Sequence, residues 1–438
     1  MKTLEKNICN NIARSDEGEL LFAHNSLKAL AAKYGTPLYL YDEEKIREKC
    51  RLYTSSIRDF FGGGGRVMYA SKAASFKRIY EIMREEGMGI DVVSIGEIYT
   101  ASLAGFPLER AYFHSNNKTD YDIEFAIEHG VGYFVVDNAE ELYSIDKIGA
   151  RLGVRPRVIL RITPGIDPHT FAAVATGKVD SKFGSAIETG QAEEITALAL
   201  SLSSIELYGF HCHVGSQIFD GDVYLATSEV MLGFVADMNK KLGYMARELD
   251  IGGGLGVRYI EEHPEIDIRE TLKAVSEAMK ATASKLEIPL PTICFEPGRS
   301  IVADAGLTLY TVGTVKKIPG YKSYVSVDGG MADNPRFALY GSPYTLLPVE
   351  RPIGDAPMVC SVVGRCCESG DILQENVEMP ADISRGELLA CLTTGAYNYS
   401  MASNYNRLGR PAVVMLGPDG DYVAVRRETV EDLTRLDV

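Results

Sequence analysis

The sequence predicts an α/β protein: a (β/α)8, TIM-like barrel with a separate C-terminal β-sandwich or β-barrel domain. Three observations predict it. Up to Pro297, short apolar, β-branched runs alternate with helical patterns; after Pro297 the chain turns to β-rich pieces with almost no helix. The length, 438 residues, leaves room at ~150 residues per domain for one large barrel and a satellite.

In chain order, DEEKIREKCRLYTSSIRDFF (42–61) reads as an amphipathic helix ahead of the first strand. The strand runs are RVMYA (66–70), IDVVS (90–94), AYFHS (111–115), YFVVD (133–137), RVILRIT (157–163), ELYGFHCHV (206–214), ELDIG (248–252) and TICFEP (292–297). Helical patterns fill 75–87, 96–104, 120–129, 139–152, 189–201, 222–242 and 267–287. Eight strands alternating with helices favour a closed barrel over an open doubly wound sheet. The later strands are LTLYTVGTV (307–315), YKSYVSVD (321–328), MVCSVV (358–363), LLACLT (388–393), AVVML (412–416) and YVAVRR (422–427), separated by turn residues. The expected boundaries are 42–304 for the barrel and 1–41 plus 305–438 for the β domain. Residues 165–186 carry no periodicity but include His169, Thr176-Gly177 and Ser181-Lys182-Phe183-Gly184, and a connection of that length suggests a lid.

Composition excludes several classes. Apolar residues at 46% and charged residues at 24% exclude global disorder. Lys and Arg number 45 against 60 Asp and Glu, a net charge of −15 that repels phosphate backbones, so no nucleic-acid partner is expected. No stretch approaches the ~20 apolar residues of a membrane helix, and the first residues carry no apolar signal-peptide core, so no membrane association is expected. The eight cysteines are scattered without a CxxC pair, which points to reduced thiols in the cytoplasm, most of them acting as small buried hydrophobes.

Barrel enzymes place chemistry just past their strands. Ser71-Lys72 follows the first; Asp91 and Ser94 end the second; His114, Asn116 and Asn117 follow the third; Arg161 lies on the fifth. The sixth ends in His211-Cys212-His213-Val214-Gly215-Ser216, the seventh in Gly252-Gly253-Gly254-Leu255-Gly256 and the eighth in Glu296-Pro297-Gly298-Arg299. Gly-rich turns after strands seven and eight let backbone N–H groups approach a phosphate, although GGGLG alone reads equally well as a tight turn. Lys72 alone reads as a snorkelling surface residue; at a barrel mouth beside a phosphate cradle, a desolvated Lys is a Schiff-base candidate. With a stacking imidazole in His213 and a carboxylate in Glu296, these form the set that pyridoxal 5'-phosphate requires. A carboxylate on the pyridine nitrogen makes the ring a strong electron sink, which leans toward decarboxylation. No metal is expected. In the β domain, Cys367-Glu368 pairs a thiol with a carboxylate in a Gly-flanked loop, suited to proton delivery and ammonium recognition. Arg336 and Tyr340 can hold a carboxylate, and Tyr397 can donate to a phosphate.

These residues, in this order, resemble the alanine-racemase-like (fold type III) pyridoxal-phosphate enzymes and, within them, the diaminopimelate decarboxylase family. The segments are YASKA (69–73), GIDVVSIGE (89–97), HSNNK (114–118), LRITPGIDPHT (160–170), SKFG (181–184), GFHCHVGSQI (209–218), DIGGGLG (250–256), EPGRSIVADAG (296–306), VDGGMADNPRFALYG (327–341), CESGD (367–371) and GAYNYSMASNYN (395–406). The resemblance implies that Lys72 carries the cofactor, His213 stacks on it and Glu296 pairs with its ring nitrogen. Ser216, Gly253, Gly254, the turn Glu296-Pro297-Gly298-Arg299 and Tyr397 would hold the phosphate. Arg299, Arg336, Tyr340, Glu368 and Tyr397 would bind substrate, and Cys367 would deliver a proton. It further implies a homodimer with shared active sites and a β domain that takes in GTPLYLYD (35–42) and contributes to the site and the dimer interface. Three positions depart from the family pattern: Ala74 for Asn, Ser115 for Gly before NNK, and Arg365 for Pro.

The implied activity is decarboxylation of the small molecule meso-2,6-diaminopimelate to L-lysine and CO2, the last step of lysine biosynthesis. Two alternatives stand beside it: a related decarboxylase acting on another, even carrier-bound, amino acid, and a catalytically silent regulatory homologue. Intact Lys72, Glu296 and Cys367 argue against the silent one.

Overall fold

Eight parallel strands close on themselves. They are β1 (Gly65–Ala70), β2 (Gly89–Val92), β3 (Ala111–Phe113), β4 (Tyr133–Val136), β5 (Arg157–Thr163), β6 (Glu206–His211), β7 (Glu248–Asp250) and β8 (Thr292–Phe295) in the computed structural model. Each pairs with its successor, and β8 pairs with β1 to complete the ring. A short strand, Ser185–Ala186, adds to the end of β5. The structure describes residues 8–167 and 181–438; His169, Thr176 and Gly177, and with them most of the expected lid, lie outside the described residues.

Helices follow the strands as the periodicity predicts: Lys77–Glu85, Ile95–Leu103, Asp120–Glu128, Ala139–Leu152, Gln191–Ser201, Asp222–Leu242 and Ile268–Lys285, with Glu43–Phe61 leading into β1. Ser94, Thr119, Asn138 and Asp267 cap four of them, each side chain accepting a backbone N–H of the first turn. Ser94, Thr119 and Asn138 fall two to six residues after their strands, which holds the intervening side chains at the mouth, whereas Asp267 closes a longer loop. Inside the barrel, Met68, Tyr112, Tyr133, Val135, Ile159 and Cys294 pack together. Gly209 is required where β6 meets β7, because a Cβ there would lie 2.0 Å from the Glu248 carbonyl oxygen.

By internal contacts the described residues form two units, Lys49–Gly256 with Ile266–Ser300, and the residues through Glu48 with Val257–Glu265 and Ile301–Val438. The spine of the second unit is Gly306–Lys317. Its first half runs antiparallel between Leu38–Asp42 and Leu388–Leu392, and its second half pairs with Ser323–Val327. Leu38–Asp42 also pairs in parallel with Ala412–Gly417, so the 35–42 stretch supplies a fully buried strand of this sheet. Leu38, Leu40, Leu307, Leu309, Leu388, Ala390, Leu392, Val414 and Leu416 alternate along their strands into one apolar core. A small antiparallel sheet of Ile12–Arg14, Leu20–Phe22 and Asn25–Ser26 goes beyond the sequence expectation, as do two further strands, Leu346–Pro348 and Ile372–Pro380. The second carries Gln374-Glu375-Asn376 and pairs with Pro357–Val363 through irregular register, a pattern that polar side chains disguise.

Among the described residues no helix is long and apolar enough to cross a membrane. All eight cysteines are free thiols, six of them buried.

Candidate active site

Because all eight strands are parallel, residues just past their C-terminal ends gather at one mouth. Lys72 sits in the 3-10 turn Ser71–Ala73 after β1 and Asp91 on β2; His114 follows β3, Arg161 lies on β5, His211 ends β6 and Glu296 directly follows β8.

Glu296 is the best-partnered group. His211 Nε2 lies 3.0 Å from its Oε2 and His114 Nε2 lies 2.6 Å from its Oε1, the two imidazoles meeting edge to face at 4.9 Å. Burial pushes the Glu296 carboxyl up, but the imidazoles outweigh burial and hold it well below the usual carboxylate range. Burial takes His211 down to about 4, against the pull of Glu296, so at neutral pH His211 donates from Nε2 as an uncharged ring. His213 is likewise pushed well below its ordinary value, first by burial and then by the charges of Lys72 and Arg161. The Gly253 amide donates to His213 Nδ1 at 3.3 Å, which leaves the ring proton on Nε2.

Lys72 differs from expectation. Its side chain is 45% exposed, so solvent and the Asp91 carboxylate at 3.7 Å, rather than desolvation, set its surroundings. Asp91 is buried, and burial pushes its carboxyl up against the pull of His114 and Lys72. Arg161 lies over the Phe183 ring at 4.3 Å, while the Asp137 carboxylate accepts from the Gly184 amide at 3.0 Å; together they anchor the 181–186 segment to the barrel.

The glycine turns form a cradle. Gly252 and Gly254 have φ of +73° and +108°. A Cβ on Gly253 would lie 2.1 Å from the Glu296 carbonyl oxygen and one on Gly254 would lie 2.2 Å from that of Gly215, so only glycine fits. A Cβ on Gly298 would lie 2.8 Å from the Ala70 Cβ. The Arg299 guanidinium donates twice to Ser216 Oγ, at 3.0 and 3.1 Å, beside these turns. A primary amine, a neutral stackable imidazole, an ionised carboxylate and a side-chain-free cradle with a hydroxyl and a guanidinium fit pyridoxal phosphate.

The second unit holds the other expected residues. The Arg336 guanidinium is buried between the rings of Tyr340 and Tyr397, 5.3 and 5.1 Å from their centroids, and its Nε has no hydrogen-bond partner among the described residues. Cys367 and Glu368 lie exposed on a loop where the Cys367 amide donates to Asn406 Oδ1 at 2.7 Å and Tyr405 Oη reaches Glu368 at 3.4 Å. Asp371 pins that loop: its buried carboxylate accepts from the Cys366 amide at 2.7 Å and from the Met331 amide at 2.6 Å, tying the cysteine loop to the loop that leads to Arg336. Burial, with help from Asp371, raises the Cys366 thiol to about 11, so Cys366 stays protonated.

Sequence reasoning located Asp91, His114 and His211 at the mouth without giving them a role. His114 and His211 lie far from Glu296 in sequence; their position directly after β3 and at the end of β6 was the available signal.

Residues 43–303 match the family model described as "Pyridoxal-dependent decarboxylase, pyridoxal binding domain". The chain is 44% identical over 412 residues to the diaminopimelate decarboxylase of Bacillus subtilis, covering 93% of each. The chain belongs to the diaminopimelate decarboxylase family. It is also 40% identical to the Staphylococcus aureus diaminopimelate decarboxylase, over 96% of this chain and 97% of that one. The structure of the M. jannaschii diaminopimelate decarboxylase in co-complex with L-lysine superposes with a TM-score of 0.89 at 32% identity, covering 98% of both chains. Membership makes this a pyridoxal-phosphate-dependent decarboxylase built on the type III fold.

Two of the departures from the family pattern have a physical reading. Arg365 is exposed, with its amide bonded to the Gly329 carbonyl. Ser115 has φ of +140°, a conformation that suits the glycine expected there and strains a residue with a Cβ. Ser115→Gly should therefore stabilise the protein by about 1 kcal/mol net of the lost Ser115 Oγ contact to the Asn117 amide and of glycine's entropy. A urea midpoint that stays or falls would contradict the strain. The Asp371 clamp predicts that Asp371→Asn, which sets an amide N–H2 against a backbone N–H, speeds tryptic cleavage after Arg365 about tenfold, the equivalent of ~1.4 kcal/mol for a charged hydrogen bond. Cleavage at the wild-type rate would show that the loop is ordered by other contacts.

Proposed function

We propose that this chain releases CO2 from meso-2,6-diaminopimelate to give L-lysine, in the cytoplasm, as a homodimer whose active sites are shared between subunits. The observation that carries the substrate is Arg336. A buried guanidinium with an unpartnered Nε calls for a carboxylate, because an uncompensated buried charge costs several kcal/mol. Diaminopimelate has a second carboxylate; lysine and ornithine lack it, and a polar pocket rejects analogues that leave its charges unpaired.

Bound pyridoxal phosphate supplies the electron sink for the pair released as the C–CO2⁻ bond breaks. Lys72 would hold it through its primary amine. His213 would stack on its ring, and ionised Glu296 would partner the ring nitrogen. Ser216, Gly253, Gly254, Pro297, Gly298, Arg299 and Tyr397 receive the phosphate. Arg299, Arg336, Tyr340 and Tyr397 take the distal end of the substrate, with Glu368 on its ammonium. Cys367 gives the proton to Cα. The exposure of Cys367 and Glu368 in the single chain supports a loop that serves a neighbouring subunit.

A CO2-release assay on meso-diaminopimelate, lysine, ornithine and arginine tests the reading, with release expected from diaminopimelate alone. Arg336→Ala should raise KM for diaminopimelate with cofactor absorbance unchanged, and Cys367→Ala should lower kcat by ~10²–10⁴-fold, the usual worth of positioned proton transfer. Release from another amino acid would overturn the substrate, and a wild-type kcat in Cys367→Ala would overturn the proton donor.

A further inference from the structure

We propose a second ligand site at the opposite, N-terminal mouth of the barrel, one that takes a small organic anion. A cleft of about 640 Å³ opens there, between the end of the Glu43–Phe61 helix and the starts of β1 to β4. Its volume lies within the ~300–1,000 Å³ of small-molecule pockets. The N-terminal face of such barrels ordinarily serves stability. Here it carries donors that the fold does not use.

Three arginines line the cleft against a single carboxylate, Glu109. Arg66 works through Nη1 alone, which donates to Tyr112 Oη at 2.9 Å, to Tyr133 Oη at 2.8 Å and to the buried Glu248 carboxylate at 3.0 Å. Its Nε and Nη2 have no hydrogen-bond partner among the described residues. Arg110 gives one Nη2 hydrogen bond to the Met88 carbonyl. Arg58 approaches Asp59 at 3.4 Å, but that carboxylate is already held by Arg269 at 2.7 Å. The guanidinium fork matches a carboxylate or a phosphate. Tyr112 and Tyr133 stack at 4.4 Å, 11° from parallel, and are buried in the barrel interior; Arg66 fixes both hydroxyls, which gives the cleft a rigid floor. Gly63, Gly65, Gly87 and Gly89 add no side chains to the lining. Glu248 and Asp59 offset part of this charge from outside the lining, but in a chain of net charge −15 the lining itself presents three guanidinium forks and one carboxylate.

The site is tested by isothermal titration of the cofactor-loaded protein, whose phosphate cradle is then filled, with benzoate, phenyl phosphate and neutral benzyl alcohol. Saturable binding of benzoate or of phenyl phosphate is expected, at a Kd of ~1 mM or tighter, and the tighter of the two identifies the anionic group. Arg58 and Glu109 are exposed, so their variants leave the fold intact. Arg58→Glu, a change of two charges, should weaken binding about thirtyfold and Glu109→Gln, a change of one, should tighten it about fivefold, since each charge at this range is worth ~1 kcal/mol. The inference is overturned if neither anion binds saturably, if benzyl alcohol binds as tightly as benzoate, or if the two variants fail to shift affinity in opposite directions.

Discussion

The catalytic barrel depends on one buried anion, the Glu296 carboxylate held between His114 and His211. Taking an unpaired carboxylate out of water costs several kcal/mol, and a lone Glu in this position would protonate. Two imidazoles at 2.6 and 3.0 Å reverse that preference. They come from β3 and β6 while Glu296 follows β8, so only closure of the barrel assembles the trio. The backbone of the same residue shapes the cradle. Its amide donates to the Gly252 carbonyl at 2.8 Å, and its carbonyl oxygen leaves no room for a Cβ on Gly253. Charge and cradle are thus set by one position.

The local charge inverts the global one. A chain with fifteen excess negative charges keeps Lys72, Arg161 and Arg299 around the barrel mouth and buries Arg336 in the other unit. The net charge bears on solubility and on partners repelled; it says little about the ligand. The uncharged histidines matter equally. His211 and His213 are kept neutral by burial, so they donate, accept and stack without adding to the positive field.

Much of the fold was legible because its strands are buried on both faces and read as continuous apolar runs bounded by turn residues. RVILRIT and YFVV need no partner to be recognised. Ile372–Pro380 was not legible, since its polar middle hides the alternation, and neither was Leu346–Pro348, which is too short to show a period. In the site, the glycine turns and Lys72 stood out because a motif sits at each strand end. What could not be read was pairing at a distance: Asp371 joining two loops, His211 meeting Glu296, Ser115 held at a positive φ. The exposure of Lys72 was missed for a related reason, because solvent access depends on neighbours the local sequence does not name.

The central claim is that Glu296 is an anion in the folded protein, and infrared difference spectroscopy between the wild type and Glu296→Gln reads it directly. The account predicts that the substitution removes an ionised carboxylate band at neutral pH, and that the band persists in the wild type at mildly acidic pH, where ordinary carboxylates begin to protonate. A protonated carboxylic-acid band in the wild type at neutral pH would contradict it.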